Sequence, residues 1–124
     1  MSATKRRVAL VSVAGETRTA LADYLRNAGF DVHECEELSV PRSFGALVVI
    51  SSHHVSSDAL VAEVRSWLGL TRNLRVVVVT SQPRALRALL AAHGERLYVL
   101  AAPVFGWELV DALRATEPPP PRGA

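Results

Sequence analysis

Cysteine, lysine and long apolar runs are scarce in this sequence of 124 residues. The single cysteine, Cys35, excludes an internal disulfide and fits a reducing compartment. No apolar run approaches the roughly 20 residues that a helix needs to cross a bilayer. The first residues, Met1 to Arg7, are polar and basic and lack the apolar stretch of a signal peptide. The sequence therefore predicts a cytoplasmic protein without a membrane partner.

The charges of the chain nearly cancel, leaving a formal net charge of +2. Arginine supplies all but one of the 14 basic residues, and the arginines are scattered rather than gathered into a stripe with interleaved aromatics. Direct nucleic-acid binding by this chain is therefore not indicated. The glycines form neither Gly-x-Gly-x-x-Gly nor Gly-Lys-Ser/Thr, so no nucleotide cofactor is expected.

Short apolar runs of strand length alternate with segments of helical periodicity. This alternation predicts an α/β fold of three layers, in which helices cover both faces of a doubly wound, five-stranded parallel sheet. The predicted strands are Val8–Ser12, Phe30–Cys35, Ala46–Ile50, Leu74–Val79 and Leu97–Leu100. The predicted helices begin at Glu16, at Ser57 or Asp58, at Pro83 and at Trp107.

Helical spacing predicts which side chains of these helices face the core. We expect one inward set in each helix: Leu21, Tyr24, Leu25 and Ala28; Leu60, Val61, Val64, Trp67 and Leu68; Leu86, Leu89, Leu90 and His93; Leu109, Val110 and Leu113. The domain is placed at residues 1–116. Residues 117–124 contain four consecutive prolines and are predicted to form a stiff tail or a linker to a further domain.

The carboxyl ends of the strands are where an open parallel sheet binds ligands. The residues there are small or apolar and include no acid: Ser12 and Val13, Ser51 and Ser52, Thr80 and Ser81, and Ala101 to Pro103.

In strand order and spacing, residues 6 to 116 resemble the receiver domain of bacterial response regulators, which has the CheY-like fold. The resemblance matches Ser12 and Val13 to the paired metal-binding acids and Ser51 to the phosphoacceptor aspartate. Thr80 matches the switch threonine or serine, and Ala102 followed by Pro103 matches the Lys-Pro pair. A hydroxyl is a poor ligand for a hard cation without carboxylate neighbours. The resemblance therefore implies an atypical, or pseudo-, receiver without aspartyl phosphorylation, and neither a catalytic residue nor a metal site is expected.

The sequence departs from the receiver pattern in two further features, the second helix and the aromatic residue that rotates during switching. The segment from Phe30 to Ser51 is about six residues shorter than in typical receivers, so the second helix is expected to be reduced or missing. Val99 holds the position of the family's rotating aromatic. Tyr98 is one residue away and is expected to point to the other face of its strand.

The resemblance then implies that the domain functions through protein contacts. It would form a homodimer or bind a partner protein through the surface that the family builds from helix 4, strand 5 and helix 5. The candidate interface residues are Arg84, Arg87, Tyr98, Phe105, Trp107, Asp111 and Arg114. DNA would be bound only through an output domain outside this chain, in transcription regulation.

Two alternatives remain at the level of sequence. One is a stand-alone adaptor. The other is a flavodoxin-like ligand-binding domain or enzyme using Ser51, His53 and His54. That reading is weakened because no third metal ligand and no nucleophile motif accompany these residues.

Overall fold

The structure is a computed structural model that describes residues 7–11, 15–35, 46–50, 57–70, 74–102 and 104–115. In these residues, strands and helices alternate along the chain as predicted. The strands are β1 (Arg7–Val11), β2 (Asp31–Cys35), β3 (Ala46–Ile50), β4 (Arg75–Thr80) and β5 (Leu97–Ala101). The helices are α1 (Gly15–Asn27), α2 (Ser57–Leu70), α3 (Arg87–His93) and α4 (Gly106–Ala115), and a 3-10 turn at Pro83–Leu86 leads into α3.

The five strands form one parallel sheet in the order β2-β1-β3-β4-β5. Helices α1 and α4 pack on one face, and α2, the 3-10 turn and α3 pack on the other. This is the three-layer, doubly wound receiver fold, so the predicted fold class is confirmed. The four described α-helices fit a reduced helix count, and the segment expected to have lost its helix, residues 36–45, lies outside the described residues.

The apolar strands form the sheet because both of its faces are covered. Along β4, Val77 and Val79 pack towards α1 and α4, whereas Val76 and Val78 pack towards α2 and α3. All four valines are buried. The valine run therefore supplies both cores, and the alternation of side chains along the strand divides it between them.

A glycine follows the end of helix α1 for a specific geometric reason. Gly29 has a φ of +103°, which an L side chain rarely adopts. The N–H of Phe30 donates to the carbonyl of Leu25, and the N–H of Gly29 donates to that of Arg26, each at 3.1 Å. These two bonds form a Schellman motif, and Phe30 and Leu25 are both buried in the same core.

Two predicted core positions are wrong. Tyr24 was expected to face inward with Leu21 and Leu25, but it is 46% exposed. Leu90 was expected to share the buried face of α3, but it is exposed as well, whereas Leu86 and Leu89 are buried. Both residues lie at the margin of the apolar stripe, where packing against the neighbouring helix decides burial and helical periodicity does not.

Candidate functional site

The carboxyl edge of the sheet is the first candidate site. Strands β1 and β3 are neighbours, with Val11 opposite Val49, and β3 is paired with β4, with Ile50 opposite Val79. Val11 and Ile50 are thus the last residues of adjacent strands. Ser12, Val13, Ser51, His53 and His54 lie outside the described residues.

Thr80 and Ala102 are the described members of this edge. Thr80 ends β4 and is 5% exposed. Its Oγ1 accepts a hydrogen bond from the backbone N–H of Gln82 at 3.1 Å, and its carbonyl accepts one from the N–H of Ala102 at 2.9 Å. The Thr80 hydroxyl therefore braces the loop after β4, and Ala102 presents an exposed methyl group beside it.

Glu34, on β2, is a carboxylate whose pKa is shifted by its neighbours. Glu34 accepts hydrogen bonds from Thr19 Oγ1 at 3.0 Å and Arg18 Nε at 3.3 Å, and Arg26 lies 3.6 Å away. The bond from Thr19, followed by the neighbouring arginines, lowers the pKa of Glu34 despite the opposing effect of desolvation. This carboxylate ties α1 to β2. Among the described residues, no group of three or more His, Cys, Asp or Glu is placed to hold a metal ion.

Exposed aromatic rings form the second candidate site, at the start of α4. Phe105 is 62% exposed and Trp107 is 57% exposed. Their rings are stacked, with centroids 6.4 Å apart and planes 6° from parallel. Large exposed apolar rings in a cluster are typical of surfaces that bind another chain.

A groove of about 460 Å³ runs between α1 and α4 beside these rings. Its lining includes Tyr24, Asn27, Trp107, Val110, Asp111 and Arg114. Tyr24 reaches the start of α4 because Gly106 has no side chain there: a Cβ on Gly106 would lie 2.6 Å from Cγ of Tyr24. Gly106 thus allows the tyrosine ring to lie against the helix and form one end of the groove.

The predicted interface residues occupy two sides of the molecule. Trp107, Asp111 and Arg114 are at positions i, i+4 and i+7 of α4 and line the groove with α1. Arg84 and Arg87 are exposed on the 3-10 turn and α3, which pack on the opposite face of the sheet. These two groups therefore do not share one helical surface, and the edge strand β5 lies between their two layers.

Tyr98 lies on that edge strand and is 39% exposed. Val99 packs with the core under α2 and α3, whereas Leu100 packs with the core under α1 and α4. Alternation along the strand puts Tyr98 on the side of Leu100, opposite Val99, as the sequence predicts.

The sequence prediction missed the groove because half of it belongs to α1. Tyr24 was assigned to the core, and Asn27 was not singled out. The local signal was present in Gly106, a glycine in the first turn of α4, but its significance depends on a tyrosine more than 80 positions earlier in the chain.

None of the helices within the described residues is long and apolar enough to span a membrane. No family model matches the sequence, and a comparison with curated proteins gives no match.

Solved structures with the receiver fold are nevertheless similar. The receiver domain of HemR from Leptospira biflexa, in its non-phosphorylated form, has a TM-score of 0.71 at 17% identity, covering 95% of this chain and 99% of its own. The chemotaxis response regulator CheY4 of Vibrio cholerae has a TM-score of 0.66 at 17% identity, and the match covers 92% of this chain and 100% of CheY4. A structure named adenylate cyclase from Rhodopirellula baltica has a TM-score of 0.70 at 16% identity, and the match covers 91% of this chain and 87% of that structure's chain. At these identities the likeness establishes the fold.

Proposed function

We propose that this receiver-fold chain is a non-catalytic signalling module that acts through protein contacts, without phosphorylation of an aspartate. The receiver fold supports a module of the response-regulator type. The observation that supports this proposal is the sequence of the strand ends, where the receiver resemblance matches Ser12, Val13, Ser51 and Ala102 to the acids and the lysine.

Each of these residues removes one requirement of phosphoryl transfer to a receiver. The acceptor must be a carboxylate, and a divalent cation held by further carboxylates must neutralise the charge on the phosphoryl oxygens. Serine at 51 is not a carboxylate, and Val13 and Ala102 offer no polar group. Thr80 remains, but a hydroxyl without an acceptor carboxylate and a bound cation does not meet these requirements.

The test is NMR of the backbone amides of Thr80 and Ala102 during titration with beryllofluoride and Mg²⁺, with acetyl phosphate as a second donor. We expect their chemical shifts to stay constant, because none of the residues matched to the acceptor and the metal-binding acids is a carboxylate. A phosphorylatable receiver domain titrated in parallel serves as the positive control. Saturable shifts clustered at Thr80 and Ala102 would contradict the proposal.

We infer that partner contacts, or contacts within a homodimer, use the surface along β5 and the start of α4. Tyr98 and Phe105 supply exposed aromatic area there, and Arg84 and Arg87 supply charge on the adjoining layer. Aromatic and arginine side chains are enriched in protein interfaces. DNA binding and transcription control would then belong to an output domain joined to this module.

A further inference from the structure

The groove between α1 and α4 presents two aromatic walls to solvent, Tyr24 at one end and Trp107 beside it. Grooves lined by aromatic rings are the surfaces on which proline-rich segments dock, because the polyproline II helix is already extended and loses little entropy on binding. The chemistry of the groove therefore fits a proline-rich segment.

The sequence carries such a segment shortly after α4. Helix α4 ends at Ala115, and Pro118 to Pro121 follow after two residues, within residues 116–124 that lie outside the described residues. We propose that the segment Pro118–Pro121 docks in the α1–α4 groove of its own chain and covers Trp107.

The lengths of the two segments match. The eight helical steps from Ala115 back to Trp107 cover about 12 Å at ~1.5 Å per residue. Four residues of polyproline II cover about the same distance at ~3.1 Å per residue. Thr116 and Glu117 are left to reverse the chain, and a residue before proline favours an extended conformation over a helical one.

The charges and the tether also favour this occupant. If the segment returns along α4, Glu117 comes near the end of that helix, where Arg114 lines the groove, while the uncharged prolines pass Asp111. The proposed path therefore pairs the anion with the cation. A tether of two residues holds the prolines near the groove at an effective concentration of the order of millimolar. A weak polyproline contact is populated under that condition without any partner.

The test compares the full chain with a variant in which Pro118, Pro119, Pro120 and Pro121 are all replaced by serine, and Gly123→Ser is the matched control in the same tail. The readout is quenching of tryptophan fluorescence by acrylamide. Trp67 is buried in the opposite core and contributes a constant, protected signal. We expect the serine variant to show a quenching constant about twofold higher and a red-shifted emission, because its tail no longer occupies the groove at millimolar effective concentration. Gly123→Ser should match the parent.

Two controls assign the signal. Trp107→Phe must remove the difference between the proline and serine tails, and the difference must persist on dilution because the contact is intramolecular. Equal quenching in the parent and the serine variant would overturn the proposal. A difference that disappears on dilution would assign the contact to the tail of a second copy and would overturn docking within one chain.

A second measurement applies if the serine variant does not fold, as judged by Trp67 emission and circular dichroism. In the unmodified chain, nuclear Overhauser effects are expected between the δ protons of the prolines and the indole of Trp107. Their absence would overturn the proposal, whereas their presence in a monomeric sample supports it. Neither measurement of tail docking involves phosphorylation. A failure of the docking proposal can therefore be distinguished from a failure of the proposed signalling function.

Discussion

At the scale of single residues, the glycine that follows α1 is required, whereas the glycine inside α2 is replaceable. Gly29 has a left-handed φ of +103°, whereas Gly69 lies within α2, and a Cβ there would meet nothing within 4 Å. We expect Gly29→Ala to lower the free energy of unfolding by about 1–2 kcal/mol, through strain at the positive φ. Gly69→Ala is expected to raise it by up to about 1 kcal/mol, because alanine loses less entropy in a helix. Urea unfolding measures both, and equal effects of the two variants would contradict the structural assignment.

At the scale of elements, Glu34 couples helix α1 to the edge strand β2. Its pKa is lowered by the hydrogen bond from Thr19 and by the arginines. A carboxyl whose folded pKa is depressed stabilises the fold above its unfolded pKa, and that contribution is lost as pH falls through the folded pKa. We expect Glu34→Gln to destabilise the protein at pH 7 by no more than about 1 kcal/mol, since the group is partly exposed.

The pH dependence separates this effect from loss of packing. The difference between the parent and Glu34→Gln should shrink as pH falls below the ordinary value of 4.5 towards the lowered pKa. Glu63→Gln, at an exposed position on α2, is the matched control. Thermal unfolding at a series of pH values measures both variants. A difference that is constant across the acid range would show that the ion pairs do not account for the coupling of α1 to β2.

For the whole molecule, β5 ends the described sheet and leaves one aromatic side chain half exposed at that edge. Tyr98 lies there, between the layer with Arg84 and Arg87 and the layer with α4. If the chain self-associates through this surface, Tyr98→Ala should raise the dissociation constant about tenfold, which corresponds to ~1.4 kcal/mol. Sedimentation equilibrium measures the constant. Tyr24→Ala, which removes a comparably exposed tyrosine from α1, should leave it unchanged, and the reverse order of effects would move the interface to the α1 side.

The sequence by itself determined the alternation of strands and helices, because apolar runs such as the four valines at 76–79 are typical of a sheet covered on both faces. It also predicts the character of the carboxyl edge, because the carboxyl ends of parallel strands lie at one edge of the sheet and residues 12, 13 and 51 include no acid. The opposite orientations of Tyr98 and Val99 followed from strand alternation alone.

Only the tertiary structure decided which helix faces meet. Helical periodicity is local and assigned Tyr24 to the core, yet its ring lies against Gly106 at the start of a helix far away in sequence. Trp107, Asp111 and Arg114 lie on α4, whereas Arg84 and Arg87 lie on the 3-10 turn and α3, and the crossovers put these elements on opposite layers of the sheet. The groove is therefore a property of the packing between α1 and α4, because neither helix forms its walls alone.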